Sequence, residues 1–187
     1  MTLRFTLDTV CVIAMVKTER NNPPEQLAAI ERLIDMAADG SIELQLAAAY
    51  DRDFERFRSP QGRARQLEWL SSAPIATPRA SGLFIIGVSA LGGSDVLASD
   101  DDAKFYSAVR AILDPHFDGT QLDDQPAWQL AKRTSDAAHL VAHNLSGAAA
   151  IVTMDESTIL VHRPALAELG VKVLWPAEAV ATVEATL

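Results

Sequence analysis

Three aspartates hold the positions in this chain that most invite chemistry: Asp8, Asp136 and Asp155. Asp8 interrupts an apolar run, Arg4-Phe-Thr-Leu-Asp-Thr-Val-Cys-Val-Ile-Ala14. A carboxylate buried in such a run costs several kcal/mol unless it is paired or bound to a metal. It is easier to accommodate at the C-terminal end of a strand than in its middle. Asp155 closes a second apolar run, Ala149-Ala-Ile-Val-Thr-Met-Asp155. Asp136 follows Ser135, which could cap the start of a helix. Brought together, such carboxylates supply the oxygen ligands that hard divalent ions such as Mg²⁺ and Mn²⁺ require. Each acid also has an ordinary explanation. Asp136 can favour a helix N-terminus, and Asp155-Glu156 can be turn acids after a strand. Asp8 is the hardest of the three to explain without a site.

Strands of a parallel sheet would have to carry these acids to one edge, because open parallel sheets bind ligands beyond the C-terminal ends of their strands. Arg4 to Ala14 reads as a buried strand, dominated by apolar and β-branched residues. Pro23-Pro24 opens a helix over Glu25 to Ala38, with Leu27, Ile30, Leu33, Ile34 and Ala37 at helical spacing, and Asp39-Gly40 stops it. Ile42 to Ala48 is a second short strand. A helix from about Tyr50 is interrupted by Ser59-Pro60-Gln61-Gly62 and resumes over Arg63 to Leu70. Ser71 to Gln125 carries the fewest signals. Its glycines at 82, 87, 92 and 93 suggest a loop or irregular hairpin without the Gly-Lys-Ser/Thr ending of a phosphate-binding loop. Asp100-Asp101-Asp102 would favour the positive end of a helix over Ala103 to Leu113.

Pro126 to Ser146 is helical by pattern, with a break near Thr134-Ser135 left open, and Gly147 ends it. A strand over Ala149 to Thr153, a short helix over Pro164 to Leu169, a strand over Val171 to Trp175 and a helix over Ala177 to Ala185 complete the chain. This alternation predicts an α/β architecture with a mainly parallel sheet. The 187 residues suit one domain, and 49% apolar residues are enough for a substantial core. A formal charge of −9 does not advertise a phosphate-binding surface, unless the acidity is concentrated where a metal or a basic partner neutralises it. Cys11 is the only cysteine, so no intramolecular disulfide can form, which fits a reducing compartment. No apolar run reaches membrane length, and the expectation is a soluble cytoplasmic protein that does not engage membranes.

At these residues the sequence resembles the PIN domain family of metal-dependent nucleases. Phe5-Thr-Leu-Asp8-Thr-Val-Cys-Val-Ile13 resembles the family's opening strand with its first acid. Ser135-Asp136-Ala-Ala-His-Leu-Val-Ala-His-Asn-Leu-Ser-Gly147 resembles its late helix, and Ala150-Ile-Val-Thr-Met-Asp155 the strand that ends in Thr-X-Asp. The tail Leu169-Gly-Val-Lys-Val-Leu-Trp-Pro176 resembles its final strand and proline.

The resemblance implies a three-layer α/β/α sandwich over residues 1–187, with a family-variable insertion at about 71–125. It implies Mg²⁺- or Mn²⁺-dependent hydrolysis of RNA phosphodiesters, with Asp8, Asp136 and Asp155 as metal ligands. Asp53 matches the family's further acid best, with Asp51 and Glu55 as competitors. A toxin role with an antitoxin protein as partner, and a homodimer, also belong to the family. Two positions after the first acid the family often has Asn or Ser, and here stands Val10. That departure keeps open a catalytically weak or inactive PIN-like module that binds RNA or regulates. A phosphohydrolase with an aspartate nucleophile ranks lower, because Asp8-Thr9-Val10 lacks the Asp-X-Asp of that class.

The remaining polar and aromatic residues read more plainly. His139 and His143 share a helix face, but no His-Glu-X-X-His motif supports zinc. Cys11 reads as a core thiol, and Trp69, Trp128 and Trp175 as packing residues. Arginines 52, 56, 58, 63 and 65 lie among Asp51, Asp53, Glu55 and Glu68. A mixed-charge helix surface explains them better than a phosphate-contacting rim.

Overall fold

The computed structural model describes residues 2–17, 22–47, 59–80, 99–114 and 127–186. Strand β1 (Leu3–Leu7) leads through Asp8 into helix α1 (Thr9–Val16). Helix α2 (Pro24–Ala38) returns the chain to β2 (Ile42–Ala47). Helix α3 (Pro60–Ser72) and strand β3 (Ile75–Ala80) follow. Then come α4 (Asp100–Leu113), α5 (Ala127–Ser146) and β4 (Ala150–Val152). A 3₁₀ turn (Leu160–His162), α6 (Arg163–Glu168), β5 (Val173–Leu174) and α7 (Pro176–Glu184) close the chain.

The five strands form one sheet in the order β3-β2-β1-β4-β5, and every pairing is parallel. The sheet has helices on both faces, because its strands alternate between two cores. Phe5, Leu7, Ala150, Val152 and Leu174 pack with Val12 of α1, Ile30, Leu33 and Met36 of α2, and Ala179 and Val183 of α7. Ile151 and Val173 point the other way. They pack with Val109 and Leu113 of α4, Ala137 and Leu140 of α5, and Leu166 of α6. Burying apolar area on both faces is what near-continuous apolar parallel strands require. The result is an α/β/α sandwich around a parallel sheet. No helix among the described residues is long and apolar enough to cross a membrane.

Several boundaries differ from the sequence expectation. The first strand ends at Leu7, and the apolar residues beyond Asp8 are helical. Ser59-Pro60 opens a helix where an interruption was expected: the Ser59 hydroxyl accepts from the Gly62 amide and Pro60 takes the first helical position. Strand β3 lies in the stretch that carried the fewest signals. Helix α5 runs unbroken through Thr134-Ser135, so Ser135 caps nothing and Asp136 lies in the second half of the helix's third turn. The glycine-bearing stretch from Ser81 to Gly93 and the segment from Ala48 to Arg58 lie outside the described residues.

Candidate metal centre at the sheet switch point

In the strand order β3-β2-β1-β4-β5 the chain first moves outward from β1 through β2 to β3, and then from β4 to β5 on the other side. The direction reverses between β1 and β4. At such a switch point the adjacent crossovers diverge and leave a crevice beyond the C-terminal ends of the strands. Leu7 pairs with Val152 at the ends of β1 and β4, and the Asp8 amide donates to the Val152 carbonyl at 2.9 Å. The chain therefore delivers Asp8 and the residues after β4 to one edge.

Asp8 stands at the N-cap of α1, yet its side chain makes no capping bond. Its Oδ2 instead accepts from the Thr153 hydroxyl at 2.5 Å. Thr153 Oγ1 in turn accepts from the Asp155 amide at 3.0 Å. One fully buried threonine thus links the two acids. Asp8 itself is only 5% exposed. Because the side chain makes no cap bond, helix capping does not account for the burial of this carboxylate.

Asp155 shows the opposite balance. Its Oδ1 accepts from the Ser157 amide at 2.9 Å, the Ser157 hydroxyl at 2.7 Å and the Thr158 amide at 2.9 Å. That oxygen organises the turn after β4, as the turn-acid reading expected, and Oδ2 makes no hydrogen bond among the described residues.

Asp136 is half-buried on α5. Two contacts fix how α5 lies on the sheet. His143 Nδ1 is 3.1 Å from Thr6 Oγ1, and His139 Nε2 is 3.3 Å from Thr9 Oγ1. Descending numbers along α5 meet ascending numbers from Thr6 in β1 to Thr9 at the start of α1, so α5 runs antiparallel to β1. Asp136, three residues before His139, therefore lies on the turn of α5 that reaches the end of β1. The two histidines diverge to separate hydroxyls. His143 belongs to a buried polar set with Thr6, Gln45 and Ser146, in which Gln45 Nε2 donates to Thr6 Oγ1 at 3.0 Å and to Ser146 Oγ at 2.6 Å. Burial pushes the His143 imidazole down to about 4, so it is neutral at pH 7.

Among the described residues no group of three or more His, Cys, Asp or Glu side chains could hold a metal ion. The three aspartates approach the same edge without forming a closed cage. Asp53, Asp51 and Glu55 lie outside the described residues. The oxygen donors suit Mg²⁺ or Mn²⁺ better than zinc, and Mg²⁺ commonly binds through only one or two carboxylates while retaining water. Asp8 and Asp155, joined through Thr153, fit that kind of ion.

Val10, where a polar residue was expected beside the site, packs against the core shared by α1 and α2. Cys11 is a buried thiol, as expected. Desolvation and the nearby Asp8 charge hold its pKa well above the usual thiol value. Trp69 packs against the same core as Val10. A cleft of about 310 Å³ between α1 and α3 is lined by Met15, Val16, Arg65, Glu68, Trp69 and Ser72, and contains none of the aspartates.

The buried contact between Thr9 and His139 was not anticipated from the sequence. The only signal was that a histidine replaces an apolar residue on a helix face that must be buried. No protein-family model matches the chain, and a search of curated proteins finds no match.

Proposed function

We propose that the chain is a metal-dependent ribonuclease of the PIN type, hydrolysing RNA phosphodiesters with Mg²⁺ or Mn²⁺ held at the β1–β4 switch point. The observation that carries this reading is the bridge from Asp8 through the Thr153 hydroxyl to the Asp155 amide. A buried carboxylate that heads a helix without capping it, at the edge where parallel sheets bind ligands, has a use other than stability. Asp8 and Asp155 hold the ion in this reading, and Asp136 contributes from α5, directly or through water. Asp53 remains the proposed further acid, to ligate or orient.

When bound, the ion activates a water and offsets the phosphodiester charge. The Thr153 hydroxyl donates to Asp8 Oδ2 and so orients that carboxylate. The Ser157 and Thr158 donors hold Asp155 Oδ1, so Oδ2 would be the oxygen available to an ion. A bound ion would also answer the objection from net charge, because it would place positive charge beside Asp8 and Asp155.

The test is cleavage of RNA by the purified chain with Mn²⁺. Asp8→Asn and Asp155→Asn are each expected to lower the rate by about 100-fold or more while the fold persists. Asparagine keeps an acceptor oxygen for the Ser157 and Thr158 amides, so loss of the turn does not confuse the result. Full activity in either variant overturns the proposal. Growth arrest on expression of the wild type, and not of Asp8→Asn, would extend it to a toxin with an antitoxin partner.

A second reading is a weak or inactive module of the same fold that binds RNA or regulates. The apolar packing of Val10 favours it, since no hydroxyl or amide stands at that position. Mn²⁺ raises the melting temperature of an intact site by mass action, so a metal-induced shift without cleavage selects this reading.

A further inference from the structure

We propose that His139 is a positioning residue that holds Asp136 in register with Asp8, and that the Thr9–His139 hydrogen bond is the means. The inference rests on the metal-site reading above and concerns how that site is pre-organised. His139 is 2% exposed and Thr9 5% exposed, and Nε2 lies 3.3 Å from Oγ1. Thr9 is the residue directly after Asp8, and His139 is one turn after Asp136. The bond therefore joins the backbone next to one acid to the helical turn next to the other.

Apolar contacts of Ala137 and Leu140 hold α5 against the sheet, but they are non-directional and tolerate sliding along the helix axis. A buried hydrogen bond does not tolerate it, because slippage leaves polar atoms unsatisfied. A directional tie beside both acids fixes the turn of α5 that carries Asp136 relative to the end of β1 that leads into Asp8. The His143–Thr6 contact sits one turn further along the same helix and supports the same register from inside the sheet.

The experiment is calorimetric titration of the full chain with Mn²⁺, well below the melting temperature, for the wild type, His139→Leu, Thr9→Val, their double variant and His139→Gln. Removing either partner is expected to raise the dissociation constant by about 10-fold, as for other groups that orient ligands from behind. The double variant should be no weaker than the worse single one, because both remove the same bond. His139→Gln, which keeps a donor and an acceptor at similar reach, should restore most of the affinity. A merely structural role would lower the metal-free melting temperature of His139→Leu and leave the dissociation constant unchanged, and that result overturns the proposal. Thr9→Val tests the bond from the other side if His139→Leu does not fold. A wild type that binds no Mn²⁺ removes the site reading together with this one. Wild-type binding that survives in every variant removes this one alone.

Discussion

Thr153 carries more of the site than its size suggests. Its hydroxyl donates to a buried carboxylate on one side and accepts a backbone amide on the other. Valine has nearly the same shape, so Thr153→Val removes the hydroxyl and little else. Asp8 then loses a charge-assisted bond and the Asp155 amide loses its acceptor. The expected cost is about 1–3 kcal/mol in urea denaturation, with Mn²⁺ binding weakened by about 10-fold. A variant as stable as the wild type would show that water replaces the hydroxyl at both contacts. The cost of burying Asp8 was legible in the sequence, since a lone acid in an apolar run demands an explanation. The tie from Thr9 to His139 was not. It joins residues 130 positions apart, and neither carries a motif.

At the level of elements, apolar periodicity identified most helices and blurred the places where strand and helix meet. The run from Arg4 to Ala14 looks continuous because β1 and α1 are both buried, and a buried strand and a buried helix share the same composition. Asp8 marks the junction as the N-cap residue of α1. Strand β3 was hidden by Pro78 and Arg79. Proline is tolerated there because β3 is an edge strand, and its pairing with β2 is irregular between Gln45 and Ala47. Ser59-Pro60 can end one helix or begin the next, and only the Ser59–Gly62 bond decides between them. The acids at 100–102 were read correctly as serving a helix start: Ser99 and Asp102 form a capping box.

Gly147 was read correctly too, and its φ of +63° shows why glycine serves the stop between α5 and β4. A Cβ built there meets nothing within 4 Å, so the cost of Gly147→Ala is conformational and not steric. The expected loss is about 1–2 kcal/mol of unfolding free energy in urea denaturation with an unchanged far-UV spectrum. A neutral result would mean that the α5–β4 turn readjusts its backbone.

For the whole molecule, the sheet separates an apolar core on one face from a face that also contains a polar set. Thr6 alternates with Phe5 and Leu7, and so faces α5 together with its register partner Gln45. His143 closes this set and is buried. Its pKa of about 4 in the fold lies below the ordinary histidine value of 6.5, because desolvation disfavours the cation. The unfolded chain therefore takes up a proton between pH 6.5 and 4 that the folded chain refuses. Stability is complete above pH 6.5, falls by about 1.4 kcal/mol per pH unit in that window, and levels off below pH 4. The total is about 3 kcal/mol, a large fraction of the stability of an ordinary domain. Carboxylates titrate near the lower end of the same window, so the contribution must be read as a difference. His143→Asn keeps an amide facing Thr6 and has no titrating ring. Urea unfolding at pH 7, 6, 5 and 4 should show the wild type losing about 3 kcal/mol more than this variant, most of it above pH 4.5. Parallel curves for the two proteins would mean that His143 accepts its proton inside the fold, and that the polar set beneath α5 is open to water.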